Sequence, residues 1–213
     1  MNTHIINWAI FLLGLSVMSL GISIVTVAGL GTTPISALPL VSSYISGLTF
    51  GQTTLIINLA MILGQLILLR KNVKWLVLLL PMTYFFSVLI DFSMSWVQTI
   101  ELATYWHQIA FSMLGNAVLA LGVSLEIYSK AAVLPGEGLV VAMALFSGKP
   151  FPKVKVFNDV MLVVLAVLLS YFFFKELHGI REGTIISAIC VGIFVKGWLS
   201  LFRLITGKKT DEQ

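Results

Sequence analysis

Apolar residues run along this chain in stretches of about 18 to 23, the length that crosses a bilayer core, and short polar or basic intervals separate them. Each half of the chain reads as a long helix, a short segment and two further helices. The long helices are predicted at about 7–28, 53–70 and 75–97, then at about 108–128, 156–174 and 183–202. The short segments fall at about 33–46 and 134–147. Fourteen residues make only about 21 Å of helix, too little for a core of about 30 Å. The first apolar stretch is too long and glycine-rich for a signal peptide and lacks a basic leader, so it reads as a retained helix.

Sliding the sequence by 101 residues lays the second half on the first without a gap. Leu13-Gly14 meets Leu114-Gly115, Leu20-Gly21 meets Leu121-Gly122, and Ser23 meets Ser124. Pro34 meets Pro135, Ser46-Gly47 meets Ser147-Gly148, and Phe50 meets Phe151. Positions 13 to 50 contain 11 identities in 38. Apolar composition alone would match some leucines and valines; matching glycine, serine and proline as well indicates an internal repeat.

Composition changes the picture in one respect: it removes the soluble alternatives. Charged residues make up 10% and apolar residues 58% of the chain, and the mean hydropathy is +1.01. A soluble domain carries about 25% charged residues. The expectation is an all-α membrane protein, one membrane domain over 1–213, with repeat 1 at about 7–97, repeat 2 at about 108–202 and a basic, polar cytoplasmic tail at 203–213. A separate soluble domain has no room. The lone Cys190 excludes an intramolecular disulfide and a thiolate metal cluster, and in an apolar run it reads as a small buried side chain. The net charge of +4 comes from basic residues at the ends of apolar runs, a topology signal rather than a nucleic-acid surface.

That topology signal separates two arrangements. If both short segments are re-entrant, there are six spans with both termini cytoplasmic. Arg70, Lys71, Lys74, Lys130, Lys149, Lys153, Lys155, Arg203, Lys208 and Lys209 then lie inside, and only Lys175 and Arg181 outside. If both segments cross, the basic residues divide evenly and no asymmetry is explained. The six-span arrangement is therefore expected. With three spans per half, the second half sits upside down relative to the first. Inverted repeats with interrupted helices are a plan of secondary transporters and some channels, with the site where the halves meet.

The candidate site follows from the short segments. In Gly29-Leu30-Gly31-Thr32-Thr33-Pro34, Thr33 is a plausible N-cap and Pro34 a first helical residue. The free amides and positive dipole end of such a half-helix attract carboxylate, sulfonate or phosphate groups. A capped turn without a ligand explains the same residues. The partner motif is Leu134-Pro135-Gly136-Glu137-Gly138, where Glu137 replaces Ser36. A carboxylate in an apolar membrane segment is costly and is a functional candidate; helix capping is its plainer explanation. Asn58 and Asp159 are repeat equivalents, within reach of the half-helices, although helix–helix hydrogen bonding also accounts for them. Asp91, in the third span, has no easy structural explanation. Gly31, Thr32, Thr33, Glu137, Asn58, Asp159 and Asp91 are thus the expected substrate-binding residues. Glu126 and Lys130 read as an interfacial i,i+4 pair.

The tryptophans and Tyr105 sit near predicted span ends, where amphipathic rings favour the interface. His4, His107 and His178 fall on different sides, so neither a metal site nor a catalytic set can be drawn, and no phosphate loop is visible. No catalytic residue, metal or cofactor is expected, and the chain does not read as an enzyme.

Gly29-Leu30-Gly31-Thr32-Thr33-Pro34 after the first helix, Phe50-Gly51 ahead of the next, and Arg181-Glu182-Gly183-Thr184 before the last resemble the YitT/YczE-type family of small bacterial membrane proteins. The resemblance implies a bacterial cytoplasmic-membrane location and supplies no substrate. The functional expectation is an alternating-access transporter for a small solute, a zwitterion or organic anion. Its rivals are a channel of the same plan, a vitamin-capture subunit of an importer, and a non-transporting scaffold or assembly factor. Expected partners are the lipid bilayer and a small-molecule substrate, with no nucleic acid. The small residues of 15–22 and 116–123 leave room for a homodimer.

Overall fold

A computed structural model describes residues 3–69 and 73–206. Eight helices and no strand are found among them: α1 Thr3–Val27, α2 Pro34–Ser46, α3 Phe50–Leu69, α4 Val73–Val97, α5 Tyr105–Ser129, α6 Pro135–Ser147, α7 Phe151–Phe174 and α8 Glu182–Thr206. Six are long and apolar enough to cross a membrane, which makes this a multi-pass membrane protein. The two short helices, α2 and α6, have 13 residues each. Arg70, Lys71, Lys208, Lys209, the 207–213 part of the tail and the side chains of Lys74 and Trp75 lie outside the described residues.

Local chemistry sets both ends of the short helices. Each starts on a proline in its first turn, where the missing N–H costs no helical bond. Each stops at a glycine in the left-handed region, Gly47 (φ 71°) and Gly148 (φ 65°). The start of α3 is closed by a reciprocal pair: Thr49 N donates to Gln52 Oε1 at 3.0 Å, and Gln52 N donates to Thr49 Oγ1 at 3.1 Å. The seventh helix begins at Phe151, earlier than the predicted 156. Pro152 sits in its first turn, and the lysines that read as loop, Lys153 and Lys155, are helical. Lys155 is tolerated there because two carboxylates face it.

The centre of the bundle is the α1–α5 pair. Phe11 and Leu15 of α1 are fully buried. Close approach depends on glycines two turns apart on each helix. A Cβ on Gly14 would lie 3.1 Å from Glu126 N, and one on Gly115 would lie 2.7 Å from Val25 N. Gly21 packs on the Leu119 backbone and Gly122 on the Met18 backbone. Positions rise on α1 as they fall on α5, so the two helices are antiparallel. Under the 101-residue offset each contact maps onto another: Gly14–Glu126 onto Gly115–Val25, and Gly21–Leu119 onto Gly122–Met18.

Outer packing follows the same exchange. The short helix of each half packs on the third helix of the other, α2 on α7 and α6 on α3. The last helix of each half packs on its own first helix, α4 on α1 and α8 on α5. Trp198 Nε1 donates to Ala117 O at 3.1 Å across the α8–α5 contact. The exchange is broken in two places among the described residues: α3 packs closely on α4 and α2 touches α8, whereas α7 with α8 and α6 with α4 make no comparable contact.

Candidate functional site

The two short helices begin on a common cavity. Thr33, the N-cap of α2, and Glu137, in the first turn of α6, both line a space of about 1160 Å³ walled by helices of both halves. Asn58 on α3 and Asp159 on α7 line it as well. Four of the seven residues expected from sequence are therefore brought together. The cavity reaches the surface at Lys130 and Lys149, both exposed, and also beside the exposed Val141 and Leu145 of α6 and Ala188 and Gly192 of α8.

The other three lie elsewhere. Thr32 is fully buried and shares a 2.9 Å hydrogen bond with Thr26, so it ties the turn back to α1. Gly31 (φ 103°) packs against the start of α8, where a Cβ would lie 2.5 Å from Thr184 Oγ1. Beside it Gly183 N donates to Leu30 O at 2.8 Å, and Arg181 Nη1 donates to Gly29 O at 3.0 Å. Gly29, Leu30, Gly31, Arg181 and Thr184 do not line the cavity; they form a closed contact between the α1–α2 turn and α8.

Asp91 holds the start of α3. Its carboxylate accepts from Thr49 Oγ1 at 2.6 Å and from Gly51 N at 2.7 Å. A carboxylate at a helix N-terminus is favoured by the free amides and the dipole. Asp91→Ala is expected to cost about 1–3 kcal/mol, the penalty for stranding such donors, and to leave ligand affinity in the cavity unchanged. Thermal unfolding and ligand titration of the purified variant would check both halves of that statement.

The cavity holds charged groups that the sequence reading did not include. Lys155 Nζ lies 4.0 Å from Glu137 Oε1 and 3.8 Å from Asp159 Oδ2, between the two carboxylates. Glu126, read from sequence as half of an interfacial pair, is only 2% exposed. Its Oε1 accepts from Leu134 N at 2.7 Å and caps the start of α6 across the turn. Its Oε2 is buried and finds no donor among the described residues. Glu137 and Lys155 are near enough to act on it electrostatically.

A signal for these residues was present in the repeat. Under the offset, Glu126 stands opposite Val25, Glu137 opposite Ser36, Lys155 opposite Thr54, and Asp159 opposite Asn58. Ser36, Thr54 and Asn58 also line the cavity. One half thus supplies neutral groups and the other supplies charge at the corresponding places. The comparison that singles out Glu137 would single out Glu126 and Lys155 too.

Comparison with known proteins gives a match to one family over residues 5–199. The chain belongs to DUF6198, a family of unknown function. A relative of this DUF6198 protein is the uncharacterized protein YyaS of Bacillus subtilis (strain 168), 28% identical over 184 residues, which are 84% of this chain and 85% of YyaS. No solved structure matches. An uncharacterised family agrees with what the motif resemblance implied; membership of a YitT/YczE-type family is not among the findings. The cavity of the DUF6198 protein must therefore be interpreted from its own chemistry.

Proposed function

We propose that this DUF6198 protein is a carrier for a small charged solute, working by alternating access in the bacterial cytoplasmic membrane with both termini inside. The observation that carries the reading is the large cavity between the two halves, reached by both short-helix starts and lined by charged groups carried on apolar helices. Charges inside an apolar bundle are costly and are kept where a pathway needs them. Related halves meeting at a polar site, with interrupted helices entering from each, is the plan of many secondary transporters.

Two further features support it. The α1–α5 contacts are antiparallel and exchange under the repeat, which fits halves inverted in the bilayer. The cavity reaches the surface beside Lys130 and Lys149, and the contact of Gly29–Gly31 with Arg181–Thr184 closes the chain at the α7–α8 end. A carrier caught open to one side has this asymmetry. In such a carrier the cavity residues bind and orient a solute, and the turn at Gly31 parts from α8 when the other side opens.

Uptake of labelled solutes into proteoliposomes tests the reading. Glu137→Gln and Thr33→Val are expected to lower the rate of the responsive solute by about tenfold or more, the scale of one lost charge-assisted contact. Unchanged uptake in both variants would remove the site. Unitary currents in planar bilayers would replace the carrier with a channel.

A further inference from the structure

We propose that the cavity binds an organic cation with a primary ammonium group on an apolar body, the ammonium held by Glu126, Glu137 and Asp159. The proposal deepens the carrier reading and rests on it for the fate of the solute, though not for its binding.

The first argument concerns which sites are already filled. The positive end of a helix attracts anions, and from that alone an anionic or zwitterionic solute was expected. In the folded chain the start of α6 already has its anion, because Glu126 Oε1 accepts from Leu134 N. At the start of α2, Thr33 Oγ1 donates to Ser36 Oγ at 3.0 Å, and Thr33 O accepts from Ser36 N at 3.0 Å. The start of α6 is thus occupied by a carboxylate of the chain itself, whereas α2 has neither a side-chain cap nor an acid in its first turn.

Two carboxylate oxygens at the site also stand without a donor among the described residues. Glu126 Oε2, on a side chain 2% exposed and lining the cavity, has no donor among the described residues. Asp159 Oδ1, beside the Asn158 amide, is likewise buried without a formed hydrogen bond. Buried carboxylate oxygens need donors or a counter-charge. A primary ammonium brings three donors and a positive charge in one group. A quaternary ammonium brings the charge alone, and a carboxylate brings neither.

The chain already places such a group at the site. The Lys155 ammonium lies between Glu137 and Asp159 at 4.0 and 3.8 Å, beyond hydrogen-bond length. It is a tethered primary ammonium on a flexible stem, held loosely enough to be displaced. Lys155 is the cation seated between Glu137 and Asp159, while Lys130 and Lys149 line the cavity where it reaches the surface. Thr33, Ser36, Thr54, Asn58 and Ser187 add neutral polar groups to the wall, and its apolar part is formed by side chains such as Met18, Ile22, Phe86, Leu119 and Val191. An apolar body behind the ammonium matches it.

A matched series separates the alternatives: pentylammonium, pentyltrimethylammonium, 5-aminopentanoate and pentanoate, titrated into the purified full-length protein by calorimetry. Pentylammonium should bind at least about tenfold more tightly than the other three. Glu137→Gln and Asp159→Asn, both of native shape, should each weaken it by about tenfold. Lys155→Gln should strengthen it several-fold, because the tethered competitor is gone. Thermal unfolding of each variant confirms that it is folded; if one carboxylate variant is not, the other still decides. Tighter binding of pentanoate, 5-aminopentanoate or the trimethyl compound, or binding of none, overturns the cation site. Counterflow of labelled pentylammonium in proteoliposomes keeps the two readings apart. Binding without counterflow retains the cation site and removes the carrier, whereas counterflow of an anion without amine binding does the reverse.

Discussion

Gly21→Ala and Gly122→Ala each lower the unfolding temperature of the purified protein by about 5–10 °C and broaden its gel-filtration peak, whereas Gly197→Ala leaves both unchanged. A Cβ on Gly21 would strike the Leu119 backbone, and one on Gly122 would lie 2.5 Å from Met18 N. A flexible side chain can turn away from a new methyl group. A helix backbone cannot, so α1 and α5 would have to separate along their whole contact. Overpacking a core costs about 1–3 kcal/mol when side chains can adjust, and about 2–4 °C of unfolding temperature goes with each kcal/mol in a chain of this size. Gly197 has nothing within 4 Å of an added Cβ, so it controls for the change in helix propensity. Between helices in lipid, apolar surface gives little drive to associate, and close packing at small residues replaces it. The two interface glycines are repeat equivalents, so their effects should agree. A large loss at one and none at the other would mean that the α1–α5 contact is not two-fold related.

The fold was legible wherever a residue's own backbone chemistry decides the outcome. Pro34 and Pro135 start the short helices where expected, and Gly47 and Gly148 end them. Six long apolar helices emerged from runs of sufficient length. The site was legible only in part, because it depends on which helix faces meet. Thr33, Asn58, Glu137 and Asp159 converge on one cavity. Asp91 has its partners, Thr49 and Gly51, about forty residues away at the start of another helix, and no local pattern announces that cap. Glu126 looked like half of a surface pair because Lys130 stands four residues on, which is helical spacing. Its carboxylate instead points across the turn to Leu134. The earlier start of α7 was hidden by Lys153 and Lys155, which look like loop residues until the carboxylates facing Lys155 are known.

With Cys190 replaced by alanine, Leu48→Cys and Lys149→Cys will be modified by a membrane-impermeant maleimide from opposite faces of intact cells. The two positions are repeat equivalents. Each lies in the loop after a short helix, just past the glycine that ends it, and each is exposed. With six spans and short helices that enter and leave on one side, three spans and the re-entrant α6 separate the positions. Leu48→Cys should then react completely from outside, and Lys149→Cys only after permeabilisation. With eight spans, four crossings separate them and both react from the same face. The outcome is nearly all-or-none because a charged maleimide does not cross the bilayer. It also settles which end of the cavity the structure leaves accessible, since Lys149 stands at its rim. A cytoplasmic Lys149→Cys makes this conformation inward-facing, with the Gly31–Thr184 contact as the outer closure. Equal labelling from one face would remove the inverted plan and, with it, the main structural support for a carrier.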